Sequence, residues 1–356
     1  MNTNMSDLDY FSKHEIMKLA LNHKVKYKLR LGLSKKIKFG IEIEALGTDF
    51  INKLKDKRNV YYYSGNPAYK PSDIYGGNKW ILYHEDTLYD ECSSQVDSSS
   101  CMFCDSLINC EESFIFSTCD GGEMASPILK DNIKCWKEIK HTINYMKSKV
   151  DNLRINESCS CHTHFDIGIF DNNPSLLYNF IILLAENEEI LTRFYCGEFI
   201  NLRSITEEWA NPIKPLIKNA IINGVNTNSY KSLIRTIYRG YPKMKEYSFD
   251  FWEIYNDYYD YLSNTFENRI PNGTLSPAII QNNIMLLGFL MQYVVEEKYD
   301  VERGRYNIVN NVIRDALYVA DMLPNDKLKL DFLSQYYKDG RFTNSKKLVR
   351  SKRIFY

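Results

Sequence analysis

Four short, widely separated segments combine strand-like alternation with ionisable side chains, and they restrict the fold more than any other feature. These segments are residues 39–44, 121–127, 161–166 and 266–269. Because side chains alternate between the two faces of a β-strand, each segment should place its ionisable residues on one face. The pairs that share a face are Glu42 with Glu44, His162 with His164, and Glu267 with Arg269. Unpaired buried carboxylates are strongly disfavoured, so faces of this kind need an opposing charge, which divalent cations with a phosphate would supply.

The carboxylates in these segments suit a hard divalent cation. Magnesium prefers octahedral oxygen coordination and is commonly shared between protein carboxylates and substrate phosphates. One imidazole among oxygens is compatible with magnesium or manganese, whereas zinc favours more histidine and cysteine. We therefore predict that the metal ligands are Glu42, Glu44, Glu123, Glu267 and either His162 or His164.

A guanidinium follows the last of these carboxylates by two residues. Arg269 would point to the same place as Glu267, and its fork of donors can bind a phosphate and neutralise charge that develops during transfer. That combination suits phosphoryl transfer from ATP. Each motif alone has a plainer interpretation: a solvated strand face, a structural histidine pair or an exposed ion pair. Their joint occurrence in this order favours a site.

Composition excludes several classes of protein. The chain has 356 residues, and its 45 lysines and arginines balance 45 aspartates and glutamates, so no global field favours nucleic acid or an anionic membrane. The N-terminus lacks the pattern of a signal peptide, and the apolar segment 278–295 is interrupted by polar residues. Nine cysteines, an odd number, favour reduced thiols or a metal site over disulfides. We expect a cytoplasmic protein without a membrane span or a nucleic-acid partner.

Hydrophobic periodicity and turn signals give an outline of the elements. The patterns predict strands at 35–45, 80–86, 162–170 and 266–270, helices at 14–31, 131–149, 174–191 and 278–295, and a long loop or an excursion at 45–79. The outline divides the chain into an N-terminal helical arm (1–34), a central domain (35–300) with a cysteine-rich insertion at about 90–120, and a C-terminal helical extension (301–356).

Five motifs in this order resemble a known enzyme family. They are residues 39–44, Trp80 with Asp86, residues 122–127, residues 162–168 and residues 266–275. Together they resemble the amidoligase family, one of the glutamine synthetase-like carboxylate-amine ligases, over roughly residues 36–297. Five matched segments are specific where one alone would be weak. The resemblance makes the central domain a catalytic domain.

The resemblance implies an α+β fold, with an antiparallel sheet backed by helices and shaped as a funnel where ATP meets two or three divalent ions. It assigns metal-binding positions to Glu42, Glu44, Glu123, His162 or His164, and Glu267. It assigns nucleotide-binding positions to Arg269, Arg203 and His164. One departure is Asn268, which stands where the family usually has an aromatic residue between the glutamate and the arginine.

The implied reaction transfers the ATP γ-phosphate to a carboxylate and then lets an amine attack the acyl phosphate. The product is an amide or isopeptide bond, with catalytic positions at Arg269, Glu267 and Asp86. Asp86 could orient or deprotonate the amine, although a structural role fits it equally. The substrates stay open: a small amino acid, a peptide or a protein lysine, with residues 61–63 as a contacting loop. The alternatives are a phosphotransferase of the same fold and an inactive scaffold that acts as a binding module.

The cysteine-rich insertion is the larger departure from the family pattern. It contains Cys92, Cys101, Cys104, Cys110 and Cys119. The two-residue spacing between Cys101 and Cys104 is that of a zinc knuckle, but a second pair with this spacing is missing. Free thiols in a loop and a structural zinc both remain open. A zinc ion there would order a lobe that faces the substrate.

Overall fold

The computed structural model describes residues 11–57, 59–64, 79–84, 119–155, 159–196, 210–239, 247–254 and 264–337. Within them, one sheet is combined with helices, so the predicted α+β class is confirmed. The strands are β1 (Lys38–Thr48), β2 (Val60–Tyr63), β3 (Trp80–His84), β4 (Cys119–Ala125), β5 (Leu129–Lys130), β6 (Asp151–Arg154), β7 (Thr163–Asp166), β8 (Phe249–Asp250) and β9 (Thr265–Asn268).

The sheet is open and mostly antiparallel. Its order in the described part of the chain is β2-β3-β4-β1-β7-β9-β8, and β5 and β6 also pair with β1. Only β2 and β3 pair in parallel among these strands. The long strand β1 is central because it pairs with β4 along one edge and with β7 along the other.

The helices are α1 (Lys13–Asn22), α2 (Phe50–Leu54), α3 (Ile133–Lys149), α4 (Pro174–Glu186), α5 (Glu188–Cys196), α6 (Lys214–Asn223), α7 (Tyr230–Ile237), α8 (Pro277–Val295), α9 (Val301–Val309), α10 (Ala316–Ala320) and α11 (Asp326–Tyr337). Short 3-10 turns follow β7 and β8, at Ile167–Phe170 and Trp252–Ile254.

One face of the sheet is apolar and carries the main core. The alternating residues Ile41 and Ile43 of β1 lie on this face and are fully buried. Aromatic rings pack the sheet against the helices behind it. Phe39 stacks on Trp136 of α3 with 5.3 Å between ring centroids, and the ring centroids of Phe266 and Phe180 of α4 are also 5.3 Å apart. Burial of this face leaves the other face of the same strands for ionisable side chains.

Helix α8 is buried as its apolar density predicts. Among the described helices it alone has the length and hydropathy to cross a membrane, yet most of that stretch is buried inside the protein. Its polar residues have partners, since the Gln281 side chain hydrogen-bonds to both the N–H and the C=O of Lys28. These features are those of a core helix, and the cytoplasmic location stays a prediction.

Two predicted elements differ from those observed near the site. The segment 45–79 is not one long loop, because it contains α2 and β2. Residues 61–63 therefore lie in a strand, as expected for aromatic residues that follow a valine. The strand predicted at 162–170 ends at Asp166, whose side chain accepts a hydrogen bond from the N–H of Gly168 at 2.7 Å and turns the chain.

Two predicted helices also differ in length. The first is α1, which ends at Asn22 instead of continuing to residue 31. The helix that begins at Pro174 is divided in two at Asn187, whose side chain donates to the C=O of Leu183 at 2.9 Å. Asparagine competes for backbone hydrogen bonds in this way, which explains the break.

The N-terminal and C-terminal segments meet. His23 Nε2 lies 2.7 Å from Asp331 Oδ1 on α11, and the Ser334 hydroxyl donates to the C=O of His23. The Asp131 carboxylate accepts hydrogen bonds from the N–H groups of residues 31, 32 and 33 and from Trp136 Nε1. These contacts attach the N-terminal arm to the rest of the described structure; the division into three parts stays a prediction.

Candidate active site

Strand register brings ionisable side chains from four strands to one face of the sheet. Directly opposite residues in an antiparallel pair share a face. Glu44 of β1 lies opposite Glu123 of β4. On the other side of β1, Gly40 lies opposite His164 of β7, and His164 in turn lies opposite Glu267 of β9. The segment before β7 continues this alignment, because the N–H of Glu42 donates to the C=O of His162 at 3.0 Å.

Glu42, His162 and Glu267 form the centre of this face. One ligand atom from each lies within 4.8 Å of the others. His162 Nδ1 is 3.0 Å from Glu267 Oε1 and 3.5 Å from Glu42 Oε2, and His164 Nε2 is 3.2 Å from Glu42 Oε2. Both imidazoles therefore reach Glu42, so the structure brings together the two histidines between which the sequence left a choice.

Arg269 makes a buried ion pair with Glu267. Its Nη1 lies 3.0 Å and 2.9 Å from the two carboxylate oxygens, and its backbone N–H donates to the C=O of Ser248 at 3.0 Å. The Arg269 and Glu267 side chains are 17% and 8% exposed, so this is not the solvated ion pair of the plainer interpretation. The guanidinium lies next to the carboxylate and imidazole cluster.

Mutual charges set the protonation of this cluster. Burial lowers the pKa of His162, but the charge of Glu267 and hydrogen bonds to Glu267 and Glu42 outweigh it, so that pKa is raised above its ordinary value. Burial raises the pKa of Glu267, but Arg269 and His162 hold it well below the usual range. The raised pKa favours the protonated imidazole of His162, and a cation would compete with that proton because a metal-binding imidazole must be neutral.

The charge on Arg269 depends on more than one carboxylate. Burial lowers the pKa of Arg269, whereas Glu267, then Asp250 and then Glu42 raise it, and the result is a pKa above the ordinary value. The guanidinium therefore stays charged inside this face of the sheet.

A second acidic pair lies beside the first cluster. Glu44 and Glu123 are 6% and 4% exposed, and they lie directly opposite each other on the adjacent strands β1 and β4. Glu44 Oε2 accepts the N–H of Ser160 at 2.6 Å, and Glu123 Oε1 accepts the hydroxyl of Tyr83. Like charges directly opposite on neighbouring strands are destabilising, which favours an added cation at this pair.

The donor set fits magnesium or manganese. Carboxylate oxygens with imidazole nitrogen are ligands that these ions accept, and buried carboxylates gain from the added positive charge. Glu42, His162 and Glu267 could hold one ion, and Glu44 with Glu123 could contribute to a second.

Several predicted site residues lie outside the described part of the chain. They are Asp86, Arg203, Cys92, Cys101, Cys104 and Cys110. Cys119 begins β4, but its side chain is likewise outside the description. Their roles, including a structural zinc, stay predictions.

Two residues of this face were missed by the sequence analysis. Asp250 of β8 lies opposite Glu267 and is 1% exposed, and Tyr83 of β3 lies opposite Glu123. The available signal for Asp250 was its position between two apolar aromatics, Phe249 and Phe251, which are both buried. A two-residue strand is too short for this alternation to stand out.

Comparison with known protein families identifies the family of this chain. Residues 35–290 match the model of a family described as "Putative amidoligase enzyme". No curated protein and no solved structure matches the chain. The match covers most of the chain and contains all four segments that build the ionisable face. The chain therefore belongs to the amidoligase enzyme family.

Proposed function

We propose that this protein is an ATP-dependent ligase that joins a carboxylate to an amine through an acyl phosphate. One observation carries the proposal. Glu42, His162 and Glu267 form a cluster whose ligand atoms lie within 4.8 Å of one another, and Arg269 hydrogen-bonds to Glu267 of this cluster. Membership of the amidoligase family supports a ligase. The chemistry of the cluster with Arg269 supports ATP, and the acyl phosphate is what the resemblance to the family implies.

The carboxylates and His162 on this face would bind the metal ions, and Arg269 would bind the phosphate. Glu42, His162 and Glu267 would hold one divalent ion, and Glu44 with Glu123 would help to hold another. Such ions supply charge that screens the triphosphate and polarises its terminal phosphoryl group. Arg269 is suited to the phosphoryl oxygens, because its planar fork offers several donors without losing its charge.

The chemistry requires activation because a carboxylate is a poor acyl donor. A carboxylate oxygen of the first substrate attacks the γ-phosphorus, and the bond from that phosphorus to ADP breaks. The amine nitrogen of the second substrate then attacks the acyl carbon, phosphate leaves, and the nitrogen loses a proton. Asp86 is the predicted acceptor of this proton. An amide or isopeptide bond, ADP and phosphate are the products.

Calorimetric titration of a non-hydrolysable ATP analogue tests the nucleotide site. We expect binding with magnesium or manganese and loss of binding with a chelator. Glu42→Gln and Glu267→Gln keep the side-chain size but remove a ligand charge, so each should weaken metal-dependent binding by roughly 10- to 100-fold. Glu302→Gln is the matched control, since Glu302 is an exposed residue of α9 paired with Arg305.

The same titration can reject the proposal. Unchanged affinity in both cluster variants would remove the metal assignment, and a folded wild-type protein that binds no metal-nucleotide would favour the inactive scaffold. If binding is found, carboxylates and amines are screened for ADP release. Release of ADP that needs both substrates supports a ligase, whereas a stable phosphorylated product without amide formation would identify a phosphotransferase.

A further inference from the structure

Asp250 is a buried carboxylate on the face that carries the metal-ligand cluster, and neither the sequence motifs nor the proposed chemistry uses it. It lies directly opposite Glu267 in the pair of β8 with β9, so both side chains are on the same face. Asp250 is only 1% exposed, so its charge is buried. An uncompensated buried carboxylate would be strongly unfavourable, so a cation should balance it.

The charge of Asp250 acts on Arg269. Among the carboxylates that act electrostatically on the guanidinium, Asp250 is second to Glu267 and ahead of Glu42. The backbone also joins the two segments, because the N–H of Arg269 donates to the C=O of Ser248, two residues before Asp250. The backbone of Arg269 therefore pairs with the segment of Asp250, and the charges of Glu267 and Asp250 both act on the guanidinium.

The segment that carries Asp250 is firmly held. The Ser248 hydroxyl donates to the buried carboxylate of Glu188, which also accepts the N–H groups of Ile213 and Lys214 at the start of α6. Asp250 Oδ1 accepts the N–H of Trp252 at 2.7 Å. These bonds fix the Asp250 carboxylate on β8, opposite Glu267 of β9.

Binding of a divalent cation would affect the carboxylates of Glu267 and Asp250 differently. Glu267 is both the partner of Arg269 Nη1 and part of the candidate metal cluster with Glu42 and His162. A metal that takes the Glu267 oxygens weakens their attraction for the guanidinium. Asp250 is not among the three clustered ligands, so its charge stays available to Arg269.

We propose that Asp250 is a positioning residue that retains the Arg269 guanidinium on the reaction face when Glu267 engages a divalent cation, so that Arg269 can bind the nucleotide phosphates. This inference rests on the proposed function. It assigns Asp250 no contact with the substrate, and its effect on nucleotide binding runs through Arg269.

Double-mutant titrations test this coupling. A non-hydrolysable ATP analogue with magnesium is titrated into wild type, Asp250→Asn, Arg269→Lys and the double variant, and manganese alone is titrated into each protein. Asp250→Asn should weaken binding of the analogue roughly tenfold and leave manganese affinity unchanged. In the Arg269→Lys background it should add less than about twofold, because residues that act through one another are not additive.

Asp331→Asn is the matched control. Asp331 is also 1% exposed, and its carboxylate pairs with the side chains of Lys28 and His23, but it belongs to α11. It should lower stability without changing affinity for the analogue. If Asp250→Asn does not fold, Asp250→Glu, which keeps the charge and displaces it by one methylene, replaces it and should weaken binding by a smaller factor.

The results separate two kinds of failure. If wild type binds no metal-nucleotide, the proposed function fails and this inference with it. If wild type binds but the Asp250 variant that folds binds the analogue as tightly, the inference alone is wrong. Full additivity of the Asp250 and Arg269 effects would also overturn it, because Asp250 would then act independently of the guanidinium.

Discussion

Arg269 combines an observed ion pair with a proposed role in catalysis. Its guanidinium forms a buried ion pair with Glu267, and we propose that it binds phosphate. Arg269→Lys keeps a positive charge but loses the planar fork of donors. We expect the variant to fold and to lose turnover roughly 100-fold, measured as ADP release with the substrates found by screening. Near-normal turnover would remove Arg269 from the mechanism.

Glu188 is a buried residue whose protonation should affect stability. Burial raises the pKa of Glu188 to about 7 from the ordinary 4.5, although hydrogen bonds from Ser248, Ile213 and Lys214 oppose the rise. Because the folded-state pKa is the higher one, this carboxyl contributes most to the free energy of unfolding below the unfolded pKa. The contribution declines as the pH rises through about 7, by roughly 3 kcal/mol in total.

Glu188→Gln removes this pH dependence and tests it directly. The free energy of unfolding is measured by denaturant titration between about pH 4 and pH 8 for both proteins. The wild type should lose stability relative to the variant as the pH rises across this range. Parallel curves would mean that Glu188 does not titrate there. At low pH the variant should also be less stable than wild type by about 1–3 kcal/mol. Its amide NH2 group would face a backbone N–H, and two donors cannot hydrogen-bond to each other.

At the scale of elements, the packing of α2 on β4 depends on a glycine. A Cβ atom added at Gly122 would lie 2.6 Å from the buried ring of Phe50. Gly122→Ala should therefore lower the free energy of unfolding by about 1–3 kcal/mol through overpacking. Gly40 of β1 is the matched control, because the atoms nearest to its added Cβ would be 3.8 Å away, in His164 and Ser126.

Denaturant unfolding of the two glycine variants measures the difference. Gly40→Ala should change stability by less than about 1 kcal/mol. Equal effects of the two substitutions would show that Phe50 adjusts without cost, and would contradict the importance of this close approach between α2 and β4.

For the whole molecule, the N-terminal arm should be required for stability. Residues 31–33 donate three N–H groups to the Asp131 carboxylate, and Lys28 satisfies Gln281 in the core helix α8. Removal of residues 1–34 leaves these buried polar groups without their partners. We expect a loss of at least about 3 kcal/mol in the free energy of unfolding, measured with denaturant.

Lys13→Ala provides the comparison for this truncation. Lys13 belongs to the same arm and pairs with Asp315, but both side chains are at least half exposed. Its substitution should cost less than about 1 kcal/mol. A truncated chain as stable as wild type would show that the arm is an independent appendage.

Much of the site follows from local rules that the sequence displays. Alternation along a strand depends only on backbone geometry, so it predicted that Glu42 and Glu44 share a face and that His162 and His164 do the same. The five ordered motifs predicted the family, whose model matches residues 35–290. The α+β class was what the resemblance to this family implied, and the structure has it.

Element limits were harder to predict because they depend on competing local bonds. Asp166 ends β7 by accepting the N–H of Gly168, and Asn187 divides a helix by bonding to Leu183. Both side chains belong to types that can support either outcome, so the surrounding packing decides between them.

What the sequence determined by itself is which ionisable residues share a face within each strand. Only the tertiary structure decided which strands lie side by side and in which register: Glu44 opposite Glu123, and His164 opposite Glu267, which faces Asp250 on its other side. The physical reason is the distance along the chain over which each property is set. Side-chain alternation is a property of neighbouring residues, whereas the pairing of strands far apart in the chain depends on burial of the whole apolar face against the helices.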